Sequence, residues 1–268
     1  MTLFTDMIHK VYKLFMLQHF LPIKCSAYGK TDTGRSRTHN EDTIRLNQDN
    51  TLFILADGMG GHHAGEVASK MAADIVEDKL INHDESISQN DTEIFELSIV
   101  TSAIDAANLK ISQENNNQGL HDGKGMGTTI VGCWYLPEQK MSVIFHVGDS
   151  RAYSFYKQKL TQITTDHSLL QLWKDKCYEG DKPSANVLTK ALGPYPEIAP
   201  DILLYPARKG EKLLLCSDGL TTMVSDEKIL DTLIQYKNSG TTAIEQLIIE
   251  ANLAGGDDNI STILIEFS

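Results

Sequence analysis

The sequence is short of positive charge, of paired cysteines and of long apolar runs. It has 24 Lys and Arg against 36 Asp and Glu, a formal net charge of −12 over 268 residues. That balance excludes a nucleic-acid partner, because a phosphate backbone calls for a basic footprint. The four cysteines, Cys25, Cys133, Cys177 and Cys216, are far apart and form no Cys-x-x-Cys pair. They read as reduced thiols of a cytoplasmic protein, with no disulfide framework and no zinc spacing. A membrane span wants about 20 mainly apolar residues. The apolar patches of residues 1–22 are interrupted by Asp6, His9, Lys10, Lys13 and His19, so no transmembrane helix and no signal peptide is expected. A Walker-type Gly-x4-Gly-Lys-Ser/Thr loop is absent. No Ser-His-Asp or Cys-x5-Arg arrangement offers a side-chain nucleophile.

What is present is organised around one stretch, Leu52-Phe-Ile-Leu-Ala-Asp57-Gly-Met-Gly-Gly-His62. Apolar residues 52–55 predict a buried strand that ends in a glycine-rich turn at Asp57, and a helix follows. A carboxylate at the end of a hydrophobic strand is costly unless it is paired or bound to a metal. Gly58, Gly60 and Gly61 leave room for an ion to approach the backbone. One such Asp reads as a helix cap. The pattern recurs at Asp149 after Val-Ile-Phe-His-Val-Gly, at Asp218 after Leu-Leu-Leu-Cys-Ser, and at Asp258 before Asn-Ile-Ser-Thr-Ile-Leu-Ile. Four of them predict a convergent oxygen-ligand metal site.

The element order is strands, two helices, strands, two helices, strand. Helical stripes run through Val67, Met71, Ala72, Ile75, Val76 and Leu80, and through Ile94, Leu97, Val100, Ile104, Ala107 and Ile111. Strands are expected over 43–46, 51–56, 127–135, 141–148 and 151–156. A further pair, 202–205 with 212–216, precedes helices over 225–236 and 241–253 and a last strand over 259–267. No short strand–helix alternation appears, so the class is α+β with mainly antiparallel sheets and helices in pairs. No repeat or dividing linker is seen. An amphipathic extension, residues 1–25, is expected to precede a single domain, 26–268. Its apolar spacing at 4, 8, 11 and 15 is helical and suits packing on the domain or on a partner.

Carboxylates with a possible backbone carbonyl at Gly58 suit Mg2+ or Mn2+. Several Asp residues, one of them shared, is the two-metal arrangement for phosphoryl hydrolysis. An arginine is then wanted as a bidentate phosphate clamp, and Arg37, near Glu41 and Asp42, is placed for it.

Taken in order, the motifs resemble the metal-dependent serine/threonine protein phosphatases (the PPM or type-2C family) in their bacterial form. They are Thr31-Asp-Thr-Gly-Arg-Ser-Arg-Thr-His-Asn-Glu-Asp42, Ala56-Asp-Gly-Met-Gly-Gly-His62, Gly127-Thr-Thr129, His146-Val-Gly-Asp-Ser-Arg-Ala-Tyr153, Asp166-His167-Ser168, Leu188-Thr-Lys-Ala-Leu-Gly193, Leu214-Leu-Cys-Ser-Asp-Gly-Leu220 and Asp258-Asn-Ile-Ser261. They span nearly the whole chain.

The resemblance implies a four-layer αββα sandwich and hydrolysis of phosphoserine and phosphothreonine by a hydroxide bridging two Mn2+ or Mg2+ ions. It implies that Asp57 bridges the ions, with the Gly58 carbonyl, Asp218 and Asp258 on the first. Glu41 and Asp42 hold the second or its waters, which of them directly being open. Asp149 holds a weaker third ion and Arg37 the substrate phosphate. His62 is expected as general acid, with His63 and His39 as rivals. Asp257 stands next to the expected ligand Asp258. A variable flap, about 169–186 with Trp173 and Cys177, is expected to shape substrate choice. The resemblance also implies phosphorylated proteins as partners, among them a cognate Ser/Thr kinase or its substrates. A cytoplasmic monomer is expected. The rival reading is a catalytically weak phosphatase fold used as a binding or sensor module.

Overall fold

A computed structural model describes residues 22–47, 49, 51–60, 64–83, 92–120, 124–184 and 187–268. The extension before Pro22, with its predicted helix, lies outside the described residues, as do His62 and His63.

Eleven strands form two sheets among the described residues. The first sheet has the order β1 (Cys25–Asp32), β11 (Ile260–Phe267), β10 (Lys212–Cys216), β7 (Arg151–Tyr156), β8 (Lys159–Gln162). The second runs β2 (Asp42–Leu46), β3 (Leu52–Met59), β5 (Ile130–Leu136), β6 (Met141–Val147), β9 (Asp201–Pro206), with the short β4 (Gly127–Thr128) on the end of β3. Every named strand pair is antiparallel.

Alternation along the strands sorts their side chains into three apolar layers. Leu52 and Ile54 of β3 face α1 (Ala64–Ile81) and α2 (Thr92–Asn117), where Ala72, Val76, Val100, Ile104 and Ile111 are buried. Phe53 and Leu55 point the other way, into a central layer with Val131, Ile144, Leu213, Leu215, Ile263 and Ile265. Leu214 and Leu264 face the opposite helix layer. That layer is built by α5 (Asp226–Gln235) and α6 (Gly240–Leu253) through Ile229, Leu233, Ile244 and Leu247. This is the predicted four-layer αββα sandwich. It explains why the central strands read as unbroken apolar runs: both of their faces are covered. Ser225 and Ser239 cap α5 and α6, each accepting from a backbone N–H three residues on.

The sequence reading is corrected in four places. The strand expected to end at Asp57 runs on to Met59, because Gly58 and Met59 pair with Thr128 and Gly127. The single strand expected over 127–135 is two, β4 and β5, broken at Thr129. Strands β9 and β10 do not pair with each other. Strand β9 pairs with β6 in the second sheet, while β10 lies between β7 and β11 in the first. Val67 is 48% exposed; Ala68 and Ala73 join the expected Ala72, Val76 and Leu80 on the inner face of α1. Of the thiols, Cys133 and Cys216 are buried and Cys177 is exposed.

Beyond β8, α3 (Leu169–Asp175) opens the expected flap. Its Trp173 indole donates to the Gly180 carbonyl at 3.1 Å and meets Tyr178 edge-on. A short α4 (Asp218–Thr221) follows β10. No helix of the described residues is long and apolar enough to cross a membrane.

Candidate metal centre

Both sheets end at one cleft of about 380 Å³. Asp57 reaches it from β3 and Asp149 from the corner after β6. Asp218 is the first residue of α4, and Asp258 precedes β11. Glu41, Gly58 and Arg37 line it as well. The four Asp predicted to converge therefore do so. Asp257 stays exposed outside the cleft, 3.5 Å from the Ser36 hydroxyl, whereas Asp258 lines it.

Asp42 is placed differently from Glu41. It sits opposite Asp57 in the β2–β3 ladder, is almost fully buried, and lies beneath the lining residues. One of its oxygens accepts from the Ser217 hydroxyl at 3.0 Å and the other is buried without a partner.

The backbone around Asp57 is fixed from several sides. Its N–H donates to the Thr129 hydroxyl at 3.1 Å, and its carbonyl accepts from the Thr129 N–H and the Thr128 hydroxyl, each at 2.8 Å. Thr129 in turn meets the Ser150 hydroxyl at 2.7 Å, which ties Asp57 to the corner that carries Asp149. Gly58 is required by close approach: a Cβ there would fall on the carbonyls of Gly65 and Glu41. Asn259 holds the loop that carries Arg37. It accepts from the Glu41 N–H at 2.8 Å and donates to the carbonyls of Thr33 and His39, both at 2.9 Å. Thr129, Ser150, Ser217 and Asn259 stand in the motif strings, but nothing in the sequence assigns them a role. Their partners lie 21 to 226 residues away, so no local pattern could have shown what they hold.

The electrostatics of the cleft are unfavourable as they stand. Burial raises Asp57 well above the usual carboxylate range, and the charges of Asp42, Asp218, Asp149 and Asp258 push it further. Asp42 is pushed up to about 7 by burial and by Asp218 and Asp258, against the pull of the Ser261 and Ser217 hydroxyls. Asp149 also rises to about 7, through burial and then Asp218 and Asp166. Asp218 is raised by burial and Asp258. Arg37 is the one Lys or Arg among the described residues lining the cleft, and it donates to Asp258 at 2.7 Å. Five carboxylates and one guanidinium, with a buried oxygen of Asp42 unpartnered behind them, fit hard divalent cations.

His39 also lines the cleft. His62, the expected general acid, and its rival His63 lie outside the described residues.

The chain matches the family model for protein phosphatase 2C over residues 32–254. It is 35% identical over 247 residues to the serine/threonine phosphatase Stp of Listeria monocytogenes, covering 88% of this chain and 94% of that protein. The crystal structure of the serine/threonine phosphatase PstP of Mycobacterium tuberculosis superposes with a TM-score of 0.78 at 31% identity, over 91% of this chain and 98% of that one. The PstP catalytic domain in complex with two manganese ions gives 0.78 at 30% identity, over 92% and 99%.

Proposed function

The chain belongs to the protein phosphatase 2C family, and from that premise we propose how its own residues carry out metal-dependent dephosphorylation of phosphoserine and phosphothreonine in proteins. The protein is a serine/threonine phosphatase that uses Mn2+ or Mg2+. The observation that carries the assignment of residues is the cleft itself, five carboxylates facing one arginine.

Asp57, Asp218, Asp258 and the Gly58 carbonyl would hold one ion, and Asp57 with Glu41 would hold a second. Asp149 would hold a weaker third. When bound, such ions supply the activation of water and the neutralisation of charge on phosphoryl oxygens. The chain's own residues do the rest. Arg37 presents a planar fork that matches two phosphoryl oxygens. Its Nη2 lies 2.7 Å from Oδ2 of Asp258, so the clamp and a ligand position adjoin. Thr128, Thr129 and Asn259 hold the backbone against which Asp57 and Arg37 are aimed, so little rearrangement is needed at the moment of reaction. His62, by its place in the Gly60-Gly61-His62 string, protonates the departing Ser or Thr oxygen.

We place the protein in the cytoplasm as a monomer that acts on phosphorylated proteins, with a Ser/Thr kinase or its substrates among them. All the expected carboxylate positions are present, which leaves the binding-module alternative without a residue to rest on.

The test is hydrolysis of p-nitrophenyl phosphate and a phosphothreonine peptide with Mn2+, with EDTA, and with Asp57→Ala. Mn2+-dependent turnover of both, lost in EDTA and in the variant, is expected. No turnover from folded protein that still binds Mn2+ would sink the catalytic assignment and turn attention to a phosphoprotein-binding role.

A further inference from the structure

Asp149 belongs to no strand. It lies with Ser150 in the corner between the end of β6 at Val147 and the start of β7 at Arg151. The residues flanking that corner are held by one dipeptide, Asp166-His167. On one side, the Gly148 N–H donates to Nδ1 of His167 at 3.1 Å, and the His167 N–H donates to the Gly148 carbonyl at 2.7 Å. Both polar groups of Gly148 are thus taken by a single residue. On the other side, Arg151 makes a two-pronged pair with Asp166, Nε to Oδ1 at 2.8 Å and Nη2 to Oδ2 at 2.6 Å. Gly148 has φ +112°, and the Thr129 side chain occupies the place of a Cβ, so the corner has no slack to take up a shift.

His167 is itself anchored. Its Nε2 lies 3.2 Å from Oδ2 of Asp201 on β9, its ring meets His146 at a tilt of 31° with centroids 4.6 Å apart, and its carbonyl accepts from the Thr189 N–H at 2.8 Å. The next residue, Ser168, caps α3. One dipeptide therefore joins the root of the flap to the corner that carries Asp149.

His146, His167 and Asp201 offer ligand atoms within 4.8 Å of one another, which invites a reading as a cation site. The Gly148 N–H decides against it. An Nδ1 that accepts a hydrogen bond is unprotonated, so a neutral His167 carries its proton on Nε2, which faces Oδ2 of Asp201 at 3.2 Å. A protonated Nε2 has no lone pair to offer a cation there.

We propose that His167 is a positioning residue for Asp149: by holding the Gly148 peptide it aims the Asp149 carboxylate into the cleft and sets the affinity of the weakest-bound cation. The proposal rests on Asp149 being a ligand, and the test separates the two claims. Mn2+ binding to the full chain is measured by calorimetry, with circular dichroism melting as the check on folding, for wild type, Asp149→Ala, His167→Ala and His167→Asn. Asparagine carries an acceptor near the place of Nδ1.

Asp149→Ala is expected to abolish the weakest binding event. His167→Ala should weaken that event by roughly 10- to 100-fold, as loss of a residue orienting a ligand does, and leave the tighter events unchanged. His167→Asn should restore most of it. If Asp149→Ala removes the event and His167→Ala leaves it intact, or weakens all events alike, the positioning role is overturned. If Asp149→Ala changes nothing, the ligand assignment falls. Should His167→Ala not fold, Asp201→Asn replaces it, since it loosens the anchor and keeps the ring; an unchanged weakest event there overturns the proposal equally.

Discussion

Two groups of acids lie close together in this fold and are treated in opposite ways. Asp57, Asp42, Asp149 and Asp218 are buried among one another, and each is pushed toward protonation by burial and by its neighbours. Asp166, at the root of the flap, is matched by the fork of Arg151, whose guanidinium also reaches the Tyr153 hydroxyl. Asp201, half-exposed on β9, is held below the usual carboxylate range: burial opposes this, and Lys190 and His167 outweigh it. The second group is complete as protein. The first is complete only with cations supplied from outside. Burial alone does not separate a structural acid from a functional one; the supply of partners does.

That contrast predicts effects of opposite sign. Asp57→Asn should lower Mn2+-dependent turnover by at least about 10³-fold, since a shared ligand for charge stabilisation is lost. The same change should stabilise the metal-free protein by about 1–3 kcal/mol, because it removes a buried like charge at constant volume. Urea unfolding in EDTA measures the second effect, and a loss of metal-free stability would break the comparison. Asp166→Ala should do the reverse. It strands the Arg151 guanidinium, whose side chain is 21% exposed, and should cost about 3 kcal/mol with or without metal. An Asp166→Ala protein as stable as wild type would mean that the pair is decoration.

Much of this contrast was legible in the sequence, and the part that was not has a physical reason. Asp57, Asp149, Asp218 and Asp258 stood out because each interrupts or abuts an apolar run, a local signal. The α+β class with mainly antiparallel sheets and paired helices was legible in the order of elements, and the four layers in the resemblance the motifs carry. The pairing of β9 was not legible. Residues 207–211 are short enough for a hairpin, yet Ile202 and Leu204 pack toward the α1–α2 layer and Leu214 toward the α5–α6 layer. Periodicity shows that a strand has two faces without showing which sheet it joins. The inner face of α1 was misread at Val67 because alanines such as Ala68 and Ala73 signal weakly in a hydrophobic pattern and pack closely in the fold. Asn259 and Thr129 act through partners distant in sequence, beyond the reach of any window.

Smaller than the loss at Asp57 is the effect expected at His62. If it protonates the leaving oxygen, His62→Asn should slow turnover of a phosphothreonine peptide by roughly 10²-fold or more. Hydrolysis of p-nitrophenyl phosphate should fall far less, because nitrophenolate leaves without a proton. Steady-state kcat for the two substrates decides it. Equal losses would remove His62 from that role, and the same pair of assays on His39→Asn and His63→Asn would then identify the donor.

The smallest effect expected belongs to His146, next to the satisfied group. It is fully buried on β6 with both ring nitrogens lacking a hydrogen-bond partner. His167, Asp201 and Asp166 face it from the segment before α3 and from β9, with the Gly148 carbonyl on its own turn. Burial, then His167, lowers it to about 4, against the pull of Asp201, Asp166 and Gly148. The unfolded chain takes up this proton as pH falls through about 6.5 and the folded chain does not until about 4. The unfolded state therefore binds more protons in that window, and stability falls as pH drops from 6.5 toward 4. Between pH 7 and pH 5 the loss should be about 2 kcal/mol. The raised carboxylates of the cleft act in the opposite direction, so the wild-type slope alone is ambiguous. Urea unfolding of His146→Phe beside wild type at both pH values, in EDTA, cancels them. The variant should lack this part of the slope, and parallel curves would show that His146 titrates as it does in the unfolded chain.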